Sequence, residues 1–340
     1  MKKPYSLFLF ACLLFPSLSN SQDIGFLQTS IESDTRPLNL TIWYPTRDNT
    51  ALKVKVADNI AFEGISVRKN AQIHHEKRPL VILSHGYRGS WRNLNWLAEY
   101  LVDSGYIVAA PDHPGTTTFN PSQEQAAMWW ERPRDISRAI DWMLTDSEFH
   151  SVVDRKNIAA IGHSMGGWTV INLAGGKTDS TQIKQECLAH PNPQVCKLLP
   201  EMGLDKPTKQ HSHLIDERIK AVVSLDLGLA RGFTPDSLQQ VAIPVLIQAA
   251  GTNTAYLPYE LESGYLASIL PEKTTRYELI QDATHFSFMQ LCKPGGRAII
   301  EEEHKGDGMV CDDGMKRTRQ ELHAAMAESI KNFLAASLTH

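Results

Sequence analysis

The chain has 340 residues, 42% of them hydrophobic and 21% charged, with a formal net charge of −4. That much apolar material suits one large globular domain, or at most two. The mild acidic balance excludes the strong basic field that a nucleic-acid partner requires.

At the N-terminus, Lys2 and Lys3 precede an apolar run from Leu7 to Phe15, and the small residues Ser19 and Ser21 stand just before Gln22. This pattern predicts a secretory signal over 1–21 and a single mature domain over 22–340. The run is short for a membrane anchor, and no other segment reads as an integral membrane span. Export, to the periplasm or as a secreted protein, is therefore expected. Beyond the signal stand Cys187, Cys196, Cys292 and Cys311. An even count in an exported chain predicts two disulfides. Of the three possible pairings, Cys187 with Cys196 and Cys292 with Cys311 are the local ones, and the spacings match no zinc pattern.

The segments "FLQTSI" and "LNLTIWYPT" alternate apolar and polar residues, as antiparallel edge strands do. "PLVILSHG" is a continuous apolar strand. "NLNWLAEYLVDSGY" has helical spacing and stops at Gly105, and "IVAAPDHPG" is a second buried strand. An amphipathic helix follows in "RPRDISRAIDWMLTD", then a buried strand in "NIAAIGHS" that runs into the helix of "MGGWTVINLA". "IKAVVSLD", "IPVLIQAA" and "TRYELIQDATH" supply further strands, and Met315 to Ala336 reads as a terminal helix. Short apolar strands alternating with helices imply a mostly parallel sheet covered on both faces. Two stretches break the alternation, about 175–216 and 292–314. Each holds two of the cysteines and reads as an insertion, either a lid over a site or stapled surface decoration.

Gly162-His163-Ser164-Met165-Gly166 fits G-x-S-x-G between an apolar strand and a helix, the setting of a nucleophile elbow. Serine there needs a base to take its proton and donors to hold an oxyanion. The N–H of Met165, just after the serine, is one expected donor, and the N–H of Tyr87 in "SHGYRGSW" is the other. His85 in that loop reads as structural. Among the histidines after Ser164, only His285 follows a strand in the last part of the sheet; His190, His211 and His213 lie in the polar insertion, His304 in a charged run, and His323 and His340 at the terminal helix and chain end. His285 is the expected base.

The acid is less direct. The loop after Ala250, "GTNTAY", holds no carboxylate. Asp282 shares a short segment with His285, which makes reaching behind the ring difficult. Glu260 and Glu262 lie farther along that loop. Asp226 ends "AVVSLDLG", directly after a buried strand, at the carboxyl edge where active sites of open sheets gather. The residues favour Asp226 as the group that fixes the tautomer of His285.

Taken together, "LSHGYRGSWRNLNWLAEYLVDSGYIVAAPDHPG", "RKNIAAIGHSMGGWTVI" and "AVVSLDLG" resemble the α/β-hydrolases grouped around platelet-activating-factor acetylhydrolase and the dienelactone-hydrolase-like serine esterases. The resemblance runs in order from about Leu80 to Phe288 and is weak across 175–216. It implies an α/β-hydrolase fold, to which the residues themselves add the N-terminal antiparallel edge strands and the disulfide-bearing insertions. It also implies Ser164, Asp226 and His285 as a triad and adds the choice of strand for the acid. True dienelactone hydrolases use a cysteine nucleophile, which this sequence lacks. Polyester-degrading cutinases share the "GHSMGG" turn, but they keep an acid on the loop where Asn253 stands.

Such a site transfers acyl groups to water. The expected substrate is a small-molecule carboxylic ester of short to medium acyl chain, including phospholipid-derived acetyl esters. An amidase or peptidase with the same triad, or a non-catalytic binding protein on the same fold, is the alternative. Trp91, Trp168 and Phe286 stand near the motifs as candidate pocket residues. Asp307, Asp312 and Asp313 read as a solvated loop rather than a calcium site, and no metal or organic cofactor is called for. Contact with a lipid surface goes with the phospholipid-derived ester reading.

Overall fold

The computed structural model describes residues 23–191, 193–205, 214–252, 257–314 and 316–338. The expected signal over 1–21 and the loop positions 253–256 lie outside them. In chain order the strands are β1 (Asp23–Ile31), β2 (Leu38–Thr46), β3 (Lys53–Val56), β4 (Ile65–Lys69), β5 (Arg78–Ser84) and β6 (Ile107–Pro111). The short hairpin β7 (Thr116–Thr117) and β8 (Asn120–Pro121) follows, then β9 (Val153–His163), β10 (Ile219–Leu225), β11 (Val245–Ala250) and β12 (Thr275–Ile280). The helices are α1 (Asn95–Asp103), α2 (Gln123–Ala126), α3 (Glu131–Thr145), α4 (Met165–Leu173) and α5 (Ser180–Ala189). After them come α6 (Pro193–Leu198), α7 (Pro235–Gln239), α8 (Ser263–Ile269), α9 (Gly296–Glu303) and α10 (Arg319–Ser337).

One sheet runs in the order β12-β11-β10-β9-β5-β6-β2-β1-β4-β3. From β12 to β6 each neighbour is parallel. Beyond β6 the pairing turns antiparallel, with β2 between β6 and β1. The two alternating N-terminal segments are this β1–β2 pair. The sheet then continues past them through β4, parallel to β1, and β3, antiparallel to β4. The outermost strand is thus β3, whose exposed Lys53 and Lys55 put charge on the edge and discourage pairing with another chain.

Strand pleating divides the apolar side chains between two layers. Leu80 and Ile82 of β5 and Ile158 and Ala160 of β9 pack with Ile136 and Ile140 of α3 and Val170 of α4. Val81, Leu83, Ala159 and Ile161 pack on the opposite face with Leu97 of α1 and Ile330 of α10. Continuous apolar runs in the sequence are therefore strands buried on both faces. Helix α1 stops at Gly105, whose φ of +93° suits glycine and whose N–H reaches the Val102 carbonyl at 2.8 Å.

The chain passes from β5 to β6 on one side and returns to β9 on the other, so the strand order reverses between β5 and β9. The carboxyl ends of these two strands, Ser84 and His163, flank the crevice where open α/β sheets bind ligands. Both stretches outside the alternation carry the local disulfides. Cys187–Cys196 joins α5 to α6, and Cys292–Cys311 closes the segment holding α9.

Candidate active site

Ser164 sits at the mouth of that crevice, between β9 and α4, with φ +56° and ψ −121°. A non-glycine residue in this region is strained, and the surroundings must hold it. Its N–H donates to the Leu225 carbonyl of β10 at 2.9 Å. The glycines of the motif are required by close approach. A Cβ on Gly162 would lie 2.0 Å from the Gly166 carbonyl oxygen, and one on Gly166 would lie 1.9 Å from that of Ser84. The helix can therefore start hard against the strand ends, with its positive end behind the serine.

His285 opens a short 3-10 turn, His285–Phe288, just after β12. Its Nε2 lies 3.1 Å from Ser164 Oγ and its Nδ1 2.6 Å from Asp226 Oδ2. A carboxylate only accepts, so Nδ1 carries the proton and Nε2 turns a lone pair to the serine hydroxyl. Asp226 is buried, with φ +43°. Its Oδ1 accepts the Ala250 N–H at 2.8 Å and its own N–H donates to the Gln248 carbonyl at 2.7 Å. The ends of β10 and β11 together hold the carboxylate still.

The structure thus brings Ser164, His285 and Asp226 together, and it sends the other carboxylates elsewhere. Asp282 is gripped by the Arg317 guanidinium at 2.9 and 2.5 Å, which holds its carboxyl down at about 2. Glu260 is exposed. Glu262 is buried and accepts the Ala230 N–H at 2.7 Å, and burial pushes its carboxyl up to about 8. Among the histidines, His85 is buried, accepting the His113 N–H at Nε2 and donating from Nδ1 to the Gly86 carbonyl at 2.7 Å. His323 stacks on Trp96 at 3.7 Å and donates to the Ser287 carbonyl. His304 is exposed, and His211, His213 and His340 lie outside the described residues.

Tyr87 and Met165 both face the cavity beside Ser164. Gly86, next to Tyr87, lies so close that a Cβ there would be 3.1 Å from Ser164 Cβ. The Tyr87 hydroxyl donates to Glu201 at 2.7 Å, and Arg88 pairs with the same carboxylate. Glu201 belongs to the first insertion, so the insertion is tied to this loop. The cavity measures about 330 Å³. Its apolar wall includes Trp168 and Phe286, with Leu229 and Leu257. Leu198, Met202 and Leu204 come from the first insertion, and Asp307 and Val310 from the second. Both insertions therefore build the cavity rather than decorate a remote surface.

Trp91 does not belong to this wall. It packs against Trp43 and Phe26, ring centroids 5.6 Å away in each case, in the layer beneath α1 and α10. Asp112 accepts its N–H and fixes the turn that points the ring inward. Proximity in sequence to the Tyr87 loop did not reveal which face the ring would take.

Among the described residues no group of His, Cys, Asp or Glu is arranged to hold a metal ion, and no helix is long and apolar enough to cross a membrane. Asp312 and Asp313 are paired instead with Arg297 and Arg319.

A sequence profile described as "Serine aminopeptidase, S33" matches residues 75–202. Cutinase est1 of Thermobifida alba is 34% identical over 101 residues, 29% of this chain and 31% of that protein. The platelet-activating factor acetylhydrolase of Cavia porcellus is 29% identical over 138 residues, 28% of this chain and 31% of that one. The chain thus spans less than a third of the length of these relatives. A ferulic acid esterase from Streptomyces cinnamoneus superposes with a TM-score of 0.63 at 19% identity, covering 96% of this chain and 92% of its own. The architecture is common to the two over most of both chains.

Proposed function

We propose that this chain, whose fold is that of the α/β-hydrolases, is an exported serine esterase for carboxylic esters of short to medium acyl chain. The observation that carries the reading is the hydrogen-bonded series Asp226–His285–Ser164 at the point where the strand order reverses. In the proposed reaction Ser164 Oγ attacks the ester carbonyl carbon while its proton passes to His285 Nε2. Asp226 holds the ring and stabilises the imidazolium. The carbonyl oxygen, now negative, accepts from the N–H groups of Met165 and Tyr87. Collapse of the tetrahedral species expels the alcohol, which takes the proton from His285 and leaves an acyl-serine. Water then attacks with His285 as base, and the acid departs as Ser164 regains its proton.

A cavity of about 330 Å³ is at the small end for ligand sites, which favours short to medium acyl groups, acetyl esters derived from phospholipids included. The two disulfides and the signal pattern over 1–21 support export. The match to the serine aminopeptidase profile favours a second reading, amide or peptide hydrolysis by the same groups. The test is a panel of p-nitrophenyl esters of rising chain length beside peptide amides, with fluorophosphonate labelling of wild type and Ser164→Ala. Ser164-dependent labelling with faster ester turnover is expected. Faster amide turnover would select the second reading, and labelling that Ser164→Ala does not abolish would end both.

A further inference from the structure

Beneath the Tyr87 loop lies a buried polar cluster that the proposed reaction does not use. Arg132, in the first turn of α3, is 1% exposed. Its guanidinium donates to the His85 carbonyl and to Ser84 Oγ at the end of β5, to Thr116 Oγ1 at 2.6 Å, and to Thr169 Oγ1 of α4 at 3.1 Å. Thr169 passes the contact on, because its hydroxyl donates to the Met165 carbonyl at 2.9 Å. One side chain therefore grips the backbone just before Gly86 and, through Thr169, the first residue of α4. These grips bracket Tyr87 and Met165.

The charge balance of the cluster is unusual. Asp135 is the carboxylate in it, and Arg36 already holds it at 2.8 and 2.7 Å, with Arg138 at 3.5 Å. His113 bridges Asp135 and Ser84 at 3.1 and 2.9 Å. Burial drives His85 and His113 well below the usual histidine range, so both are neutral. The same burial lowers Arg132 to about 9, which leaves it charged at neutral pH. Asp135 offsets the charge of Arg132 but is already engaged by Arg36, so the guanidinium is only partly compensated and is costly to bury. Fixed positive charge in a dry site favours negative charge developing nearby.

We propose that Arg132 is a positioning residue of the oxyanion site, fixing the Tyr87 and Met165 donors relative to each other through His85 and Thr169. Its buried positive charge favours the tetrahedral oxyanion over the neutral ester. The proposal rests on Ser164 being the nucleophile.

The test compares wild type with Arg132→Met, Arg132→Lys and Thr169→Val. It measures kcat and KM on one p-nitrophenyl ester, normalised by active-site titration. It also measures Ki for a trifluoromethyl ketone, which adds to the serine as a tetrahedral anion, together with circular dichroism and melting temperature. Arg132→Met is expected to lower kcat and weaken the ketone by a common factor of about 100, with KM within about twofold. Arg132→Lys should recover part of both, and Thr169→Val should show the same pattern more weakly. A lower melting temperature with kcat per active site and Ki unchanged overturns the proposal. Where Arg132→Met does not fold, Arg132→Lys and Thr169→Val decide on the same two quantities. Absence of Ser164-dependent labelling in wild type removes the esterase reading and this proposal with it; normal labelling with unchanged Ki in the folded variants removes this proposal alone.

Discussion

The imidazole of His163 donates from Nε2 to the backbone carbonyl of His285 at 2.9 Å, and its ring lies nearly parallel to that of Phe288 at 5.7 Å. The residue just before the serine thus holds the turn that presents the facing imidazole. Burial keeps His163 well below the usual histidine range, so it acts as a neutral donor. His163→Phe keeps a ring against Phe288 and removes the donor. Leaving the carbonyl without this partner is expected to cost about 1–3 kcal/mol. Because the turn carrying His285 is then held less firmly, kcat should fall about tenfold with KM little changed. Steady-state kinetics beside a melting curve checks this, and a lower melting temperature at constant kcat would leave His163 a stability role only.

Asp226 accepts from Ala250 with one oxygen and faces His285 with the other. Asp226→Asn preserves shape but can present an N–H to Nδ1, favouring the wrong tautomer. A loss of about 10³–10⁴ in kcat is expected with the fold intact. Glu262→Gln should leave kcat within a few-fold, because Glu262 faces the Ala230 N–H. The reverse ranking of these two variants would move the acid to the loop after β11.

Much of this arrangement was legible in the sequence because it rests on patterns that burial enforces. The strands β5, β9, β10 and β11 are apolar runs covered on both faces, and the glycines around Ser164 have no room for a Cβ. The short strands β3 and β4 gave no such signal, since their alternation includes Lys and Arg and their pairing depends on β1. Glu201 was missed because its partner Tyr87 lies 114 residues away, across an insertion with no period of its own. Arg132 was missed for a different reason. A charged residue on an amphipathic helix reads as solvated, and only the partners on three other segments reveal that it is buried.

Glu262 gives the stability a pH dependence of definite sign. Burial raises its folded value to about 8, above the ordinary carboxylate value of about 4.5. Below about 4.5 both folded and unfolded chains hold the proton, and the full stability is present. Between about 4.5 and 8 only the folded chain keeps it, so this group's contribution is lost as pH rises, at up to about 1.4 kcal/mol per pH unit. Glu262→Gln cannot ionise and should flatten that slope. Denaturant midpoints of both proteins at pH 5 and pH 8 provide the comparison. The variant should gain on wild type at the higher pH, whereas parallel midpoints would mean that Glu262 ionises normally when folded.

The two disulfides should separate in their kinetic effects. Cys187 and Cys196 are 9 residues apart and brace the insertion that supplies Leu198, Met202 and Leu204 to the cavity. Cys292 and Cys311 are 19 apart, and the residues just after Cys311 reach the turn that carries His285. There Thr284 Oγ1 donates to the Asp312 carbonyl at 2.8 Å and Ser287 Oγ to Asp313 at 2.7 Å. Replacing either pair by serines is expected to cost about 3 kcal/mol by the chain-entropy relation. Loss of Cys187–Cys196 should raise KM, most for longer acyl chains, with kcat on acetyl esters held within twofold. Loss of Cys292–Cys311 should lower kcat on every ester, because it loosens the support under His285. A kcat loss of equal size in both double variants would show that the insertions act on the site as one unit rather than through these separate contacts.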